Sequence, residues 1–287
     1  MEQPDLARAI DAARATAVSL GLRVDDVTVL HSSNKLALRL EPCGVMARVA
    51  PVGQEVAQLE VDLARRLARA GAPVAALEPR VDPEVRVRDG FAVTLWVYYA
   101  PTAPVVAPGA YARALERLHA AMRDVDSTVP RFTDRIAEAE RVVAAPELSP
   151  ELPDDERAFL GGRLRRLHGE VSGTGREQLL HGEPHPGNLL STREGPLFVD
   201  LETCCRGPVE FDVAHAPQEV AAAYPGIDHA LLDRCRELVL AMVAAWRWER
   251  GDQFPDGRRH GERLLRLLRA GAPWPALGAL TAGPDGP

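Results

Sequence analysis

The stretch His181-Gly182-Glu183-Pro184-His185-Pro186-Gly187-Asn188, followed shortly by Leu197-Phe198-Val199-Asp200, decides the fold of this chain. It sets an acid, an amide and a second acid around one predicted hairpin. The apolar segments 189–191 and 197–200 read as paired strands, and the turn-prone residues 192–196 separate them. Asn188 and Asp200 are therefore predicted to lie together at the open end of that hairpin.

These residue types suit one kind of chemistry. A hydroxyl that accepts a phosphoryl group needs a carboxylate to orient it and take its proton, and the phosphates need a divalent metal held by hard oxygen ligands. Glu183 offers the first function, and Asn188 with Asp200 offers the second. Taken singly, Asn188 and Asp200 are also ordinary turn and strand-end residues. Their spacing from Glu183 favours the metal interpretation.

Bulk properties exclude several other classes. The net charge of -7 over 287 residues argues against nucleic acid, which requires a basic footprint. No segment approaches the roughly 18 unbroken apolar residues of a membrane span, and the N-terminus lacks the layout of a signal peptide. The four cysteines form no C-x-x-C pair, so we expect reduced thiols in a cytoplasmic protein. Lys35 is the only lysine in the chain, so any role that requires a lysine falls to it.

The order of predicted elements indicates an α+β protein. The first third is strand-rich, with a domain predicted over residues 1–99, and the proline-broken segment 101–104 follows it. Residues 100–287 are predicted to be mainly helical around the small hairpin. Segregated elements of this kind are typical of α+β folds rather than of a parallel sheet. The chain carries neither G-x-G-x-x-G nor a P-loop, so Rossmann and Walker-type nucleotide sites have no support.

The motif resembles the aminoglycoside phosphotransferase family, part of the wider protein-kinase-like fold. That family carries His-Gly-Asp-x-x-x-x-Asn and then an apolar strand that ends in Asp; here Glu183 stands in place of the first Asp. The resemblance implies a two-lobed protein-kinase-like fold, with a small strand-rich N-lobe and a larger mainly helical C-lobe. Arg206-Gly207-Pro208-Val209-Glu210-Phe211-Asp212 is similar to a second family segment. By that resemblance, Asp212 would lie near a helix start and brace the backbone of the catalytic loop.

The resemblance also implies roles for individual residues. Glu183, with His181 beside it, would be catalytic, and Asn188 and Asp200 would hold Mg²⁺ on ATP or GTP. Arg48 would grip the phosphates with Glu60 as its partner; a surface ion pair is the alternative. The remaining nucleotide contacts would be the loop residues Ser32, Ser33 and Asn34 over the phosphates, and Trp96, Val97 and Tyr98 in the hinge whose backbone holds adenine.

Three positions stay open at this level. Glu202 is either a metal or substrate contact or a solvated carboxylate, and His185 contacts phosphate or packs in its loop. The acid-rich segment 200–233 either forms an acidic mouth for a cationic substrate or is an ordinary solvated face.

The sequence therefore predicts transfer of a γ-phosphoryl group to a hydroxyl of a small molecule, with an antibiotic (an aminoglycoside or another cationic or nucleoside antibiotic) as the first candidate. The alternatives are a kinase of a metabolite such as choline, an amino alcohol or a sugar, and a catalytically inactive binding protein. Glu183 decides between them, because it carries one methylene more than Asp and a misplacement of about 1 Å can cost ~10²-fold in rate.

Overall fold

The structure, a computed structural model, describes residues 3–32, 35–53 and 56–276. Within these ranges the chain divides into two compact units. The first unit comprises Met1–Pro104 and Leu190–Glu202, and the second comprises Val105–Leu189 and Thr203–Pro287. The predicted loop residues Ser33 and Asn34 lie outside the described residues. None of the helices in the described part of the chain has the length and apolar character that a bilayer span requires.

The first unit is built on a five-stranded antiparallel sheet with strand order β1-β2-β3-β5-β4. Its strands are β1 (Val24–Ser32), β2 (Leu36–Pro42), β3 (Val45–Pro51), β4 (Arg86–Arg88) and β5 (Phe91–Val97), and its helices are α1 (Gln3–Ser19) and α2 (Val56–Arg69). A turn joins β2 to β3, as expected for neighbouring antiparallel strands.

The period of two along β2 and β3 gives this sheet one apolar and one polar face. Leu36, Leu38 and Leu40 are fully buried and pack in one cluster with the alanines of α1. On the other face Arg48 of β3 pairs in register with Ala37 and Thr94. The apolar face thus forms the core, and the opposite face carries charged side chains such as Arg48.

The hairpin predicted from the opening stretch is present as β7 (Leu189–Thr192) and β8 (Gly195–Phe198). Phe198 N donates to Pro73 O at 2.8 Å, and Ala75 N donates to Phe198 O at 2.9 Å. These main-chain bonds attach the hairpin to the first unit, whereas the sequence assigned all residues after 99 to one C-terminal domain. Pairing across more than a hundred residues of chain is not visible in a local pattern.

The second unit is mainly helical, as predicted. Its helices are α3 (Pro108–Met122), α4 (Phe132–Ala144), α5 (Asp154–Val171), α6 (Val209–Val213), α7 (Gln218–Ala223), α8 (His229–Trp246) and α9 (Gly257–Ala270). Two short strands, β6 (Gln178–Leu180) and β9 (Cys205–Gly207), pair antiparallel among them. α8 is buried along most of its length, and its N-cap Asp228 accepts hydrogen bonds from Ala230 N and Leu231 N.

Helix α4 was not predicted. Its start has a clear local cause, because Asp134 accepts a hydrogen bond from Arg131 N at 2.7 Å and so satisfies an N-terminal donor. Phe132, Ile136 and Ala139 then follow at helical spacing and are fully buried. The cysteines are free, as the sequence predicted.

Candidate active site

The loop that carries Glu183 depends on a glycine. Gly182 has φ +90, a backbone conformation that L side chains rarely adopt, and a Cβ atom built there would lie 1.9 Å from Thr203 O. The chain therefore needs glycine at position 182 for two independent reasons, conformation and space. This glycine fixes the close approach between the loop and the segment that follows β8.

Asp212 of α6 anchors the same loop from beneath. Its Oδ2 accepts a hydrogen bond from His181 N and its Oδ1 accepts one from Gly182 N, both at 2.8 Å. His119 Nε2 lies 2.9 Å from Oδ2. Burial would raise the pKa of Asp212, but the bonds from His119 and His181 outweigh it and hold that pKa below its ordinary value. His181 is fully buried, and its side chain takes part as well, because its Nδ1 accepts a hydrogen bond from Glu183 N at 3.4 Å.

Glu183 is ion-paired with an arginine that the sequence did not reveal. Arg135 Nη2 donates to Glu183 Oε1, and the Arg135 guanidinium lies over the Trp246 ring at 5.1 Å from its centroid. Burial favours the neutral form of Glu183, but Arg135 outweighs it, so the pKa of this carboxyl is lowered. Arg247 also interacts electrostatically with Glu183. Glu183 is therefore a carboxylate under two guanidinium charges.

Hydrogen bonds within the loop and one from Tyr111 hold the rest of the loop in place. Asn188 Nδ2 donates to Glu183 O at 3.0 Å, and His185 Nδ1 accepts from Gly187 N at 3.0 Å. Tyr111 OH donates to Pro184 O. His185 therefore makes at least one contact within its own loop.

A second set of charges forms in the first unit around Glu60, which is 3% exposed. Arg48 Nη1 donates to Glu60 Oε1 at 2.6 Å, and Arg48 Nη2 donates to Asp200 Oδ1 at 3.0 Å. Lys35 Nζ lies 3.1 Å from Glu60 Oε2 and also pairs with Glu202. Burial would lower the pKa of Arg48, but Glu60 and Asp200 outweigh it and raise it, so Arg48 stays cationic. We call these five residues the Glu60 cluster.

Oxygen atoms in the Glu60 cluster suit a divalent metal. Carboxylate oxygens of Glu60, Asp200 and Glu202 all lie within 4.8 Å of one another, and hard cations prefer such ligands. Both oxygens of Glu60 are already bonded, to Arg48 and Lys35. Asp200 Oδ2 and Glu202 Oε1 have no hydrogen-bond partner among the residues that the structure describes. The donor set thus fits a metal ion at Asp200 and Glu202 rather than at Glu60.

The predicted nucleotide contacts of the first unit differ in their placement. Ser32 is the exposed last residue of β1. Trp96 is buried, and its Nε1 donates to Thr94 Oγ1 at 2.9 Å. Val97 N donates to Ala76 O and Tyr98 N donates to Gly44 O. The main-chain N–H groups of Val97 and Tyr98 are therefore already used, whereas no described residue accepts a bond from Tyr99 N.

Most acids of segment 200–233 have partners within the protein. Asp212 anchors the loop, Glu210 Oε1 accepts from Asp228 N at 3.1 Å, and Asp228 itself caps α8. Glu202 pairs with Lys35. The acids that looked free in the sequence mainly hold the backbone in place.

The sheet-based first unit, the helical second unit and the anchored loop define a protein-kinase-like fold. The sequence model of the phosphotransferase enzyme family, APH, matches residues 16–254. The chain belongs to this family, as the resemblance implied.

Solved structures of other proteins share this fold. Amicoumacin kinase hAmiN, in complex with AMP-PNP, Ca²⁺ and Ami, matches with a TM-score of 0.67 at 14% identity, covering 94% of this chain and 96% of that one. Choline kinase LicA from Streptococcus pneumoniae matches with a TM-score of 0.66 at 14% identity, covering 93% and 100%. APH(2")-IIia, in its complex with GDP and kanamycin, matches with a TM-score of 0.67 at 16% identity, covering 91% and 98%. No curated protein matches the chain.

Proposed function

We propose that the protein transfers the γ-phosphoryl group of ATP or GTP to a hydroxyl group of a small molecule, with a divalent metal such as Mg²⁺ on the nucleotide. The observation that carries this proposal is Arg48, which joins the buried Glu60 to Asp200 in the first unit. A permanent cation and a metal-binding acid are thereby held in one fixed arrangement, as phosphoryl transfer by positioning and electrostatics requires.

Each residue of the proposed site has a chemical task. Glu183 orients the acceptor hydroxyl and takes its proton through Oε2, because Oε1 is held by Arg135. Asp200 holds the metal, with Glu202 beside it; Asn188 is assigned to the metal by the sequence motif. The metal, when bound, neutralises charge on the phosphate oxygens. Tyr99, rather than Tyr98, supplies the hinge N–H that holds the base.

Two variants test the role of Glu183. Glu183→Gln cannot accept a proton, so we expect kcat to fall about 10²- to 10⁴-fold while the Kd for nucleotide is unchanged. Arg135→Met removes the charge that lowers the pKa of Glu183. Activity that needs the carboxylate is lost as pH falls through this pKa, so the acid limb of the kcat/KM profile should move to higher pH in Arg135→Met.

Arg141→Met is the matched control, because Arg141 is exposed on the same helix. Its profile should coincide with that of the unaltered protein. Full turnover by Glu183→Gln would show that Glu183 is not the base. The third possibility, an inactive binding protein, would be supported if the unaltered protein binds nucleotide and metal but phosphorylates no acceptor.

The acceptor is a hydroxylated antibiotic or, as the second candidate, a hydroxylated metabolite. The charges next to Glu183 narrow this choice, because Arg135 and Arg247 repel an ammonium group placed close to the reacting hydroxyl. We therefore propose an acceptor that is neutral or anionic near that hydroxyl, instead of the cationic one that the sequence suggested.

A series of acceptors that share most of their hydroxyls but differ in charge tests this point. Glucosamine, glucose and glucuronate form such a set, and phosphorylation or competitive inhibition at constant ionic strength can be measured for each. We expect the anionic or neutral compound to have the lower KM or Ki, and Arg247→Met to reduce the difference. A preference for the ammonium compound would contradict the charge argument and leave the phosphotransferase proposal intact.

A further inference from the structure

Two cations share one buried carboxylate in the Glu60 cluster. Glu60 binds Arg48 through Oε1 and Lys35 through Oε2, and the two side chains are only 15% and 12% exposed. The cluster sets two cations against three acids, because Arg48 also pairs with Asp200 and Lys35 also pairs with Glu202. The surroundings of the two cations differ, and we argue that their roles differ as well.

Arg48 is held at both ends of its guanidinium. One Nη bonds Glu60 and the other bonds Asp200, so the planar fork bridges two acids. Leu201 N also donates to Glu60 Oε1 at 3.2 Å. Asp200 itself has φ +66, a conformation that Asp tolerates better than most residues. These contacts fix the position of Asp200. The Arg48 guanidinium thus links two acids of the protein, which is a structural role.

Lys35 is placed differently. It immediately precedes β2 and lies two residues before Ala37, the register partner of Arg48, so both side chains belong to the polar face of the sheet. In the sequence it also follows the residues that the family resemblance assigns to the phosphates. Its ammonium group has three donors and is a compact point charge. Glu60 and Glu202 pair with it, which leaves donor capacity for a phosphate oxygen.

We propose that Lys35 is the side chain that contacts the nucleotide phosphates, and that Arg48 is a positioning residue which joins Glu60 to Asp200. This inference rests on the proposed nucleotide-dependent function. The phosphate-contacting cation thus comes from the start of β2, while the arginine of β3 orders the metal-binding acid. The assignment also explains why the only lysine of an arginine-rich chain is at position 35.

Because Lys35 is unique, it can be tested in the unaltered protein. A nucleoside triphosphate whose terminal phosphate carries a reactive acyl group transfers that acyl group to a nearby lysine Nζ and releases the nucleotide. We expect peptide mass spectrometry to find the acyl group on Lys35, and unmodified ATP or GTP, but not the nucleoside, to suppress labelling. A probe that binds competitively with ATP or GTP yet leaves Lys35 unlabelled would overturn the assignment.

Variants supply the second readout. Loss of a charged hydrogen bond in Lys35→Met should weaken binding of the Mg²⁺-triphosphate about 10- to 100-fold and leave affinity for the nucleoside unchanged. Arg48→Met should lower turnover more than triphosphate affinity. Arg23→Met, which removes an exposed cation of the same unit, is the control.

The outcomes separate the two proposals. Equal loss of triphosphate and nucleoside binding in Lys35→Met would mean a structural role and would overturn the inference, as would unchanged triphosphate binding. Lys35→Arg, which keeps the charge, should retain part of the triphosphate affinity. If the unaltered protein binds no triphosphate at all, the proposed function fails together with this inference. If the unaltered protein transfers phosphate and Lys35→Met binds the triphosphate with unchanged affinity, only this inference fails.

Discussion

Asp200→Asn is expected to lower phosphoryl transfer by at least about 10³-fold. A metal ion contributes several kcal/mol to the stabilisation of a phosphoryl-transfer transition state, and every 1.36 kcal/mol is a factor of about ten in rate. Asn keeps the shape of Asp but removes the charge that pairs with Arg48 and that we propose to hold the metal. Because Asn also tolerates left-handed backbone, the φ of +66 at this position should not be strained by the change.

The measurement is release of ADP or GDP at saturating nucleotide and acceptor, over a range of Mg²⁺ concentrations. Asp89→Asn is a matched control, since Asp89 is an exposed aspartate of the same unit with φ +51. We expect the control to behave like the unaltered protein and the folded state of both variants to persist by circular dichroism. An Asp200→Asn variant within a factor of ten of normal turnover would contradict the metal-binding role of Asp200.

Gly182→Ala is expected to be the most damaging single-methyl substitution in the loop. The left-handed conformation costs a non-glycine residue about 1–2 kcal/mol, and forcing an atom into packed structure adds about 1–3 kcal/mol. The added Cβ would lie 1.9 Å from a main-chain oxygen, Thr203 O, which cannot rotate away as a side chain can. Against a typical total stability of about 5–15 kcal/mol, the loss is large.

Urea unfolding checks this expectation, with Gly173→Ala as the control. Gly173 also belongs to the second unit and has φ +73, but a Cβ there meets no atom within 4 Å. The control should therefore lose only the conformational part of the stability. Turnover of any folded Gly182→Ala protein should fall about 10²-fold, because the loop is displaced. If both alanine variants lose the same free energy of unfolding and remain active, the close approach of Gly182 to Thr203 O is not required for stability or turnover.

The fold could be predicted largely because local patterns coincide with it. The strands β2, β3 and β5 are apolar runs bounded by turn residues, and α8 is a long apolar helix. The hairpin was found from the spacing of its own residues. Its attachment to the first unit was not, because the hydrogen bonds of Phe198 to Pro73 and Ala75 join segments that are remote in sequence.

In the candidate site, too, local motifs could be predicted from the sequence and contacts between remote segments could not. The motif identified Glu183 and Asp200, but the side chains that set their charge come from elsewhere. Arg135 was missed together with α4, although Phe132, Ile136 and Ala139 at helical spacing, with the capping Asp134 in the first turn, were a usable signal. Lys35 could be noticed as the only lysine, yet nothing in the sequence joins it to Glu60. Contacts between distant segments depend on tertiary packing, which periodicity does not encode.

The most direct test of the central claim is a phosphoryl-transfer assay with γ-labelled ATP and GTP, Mg²⁺ and a panel of hydroxylated antibiotics and metabolites, read by mass spectrometry of the acceptors. The account predicts that the unaltered protein adds one phosphoryl group to a hydroxyl of at least one acceptor. It also predicts that Glu183→Gln slows formation of this product about 10²- to 10⁴-fold and that Asp200→Asn slows it at least about 10³-fold. Labelled nucleotide that binds with Mg²⁺ but phosphorylates no acceptor, or a product that forms at the unaltered rate in both variants, would contradict it.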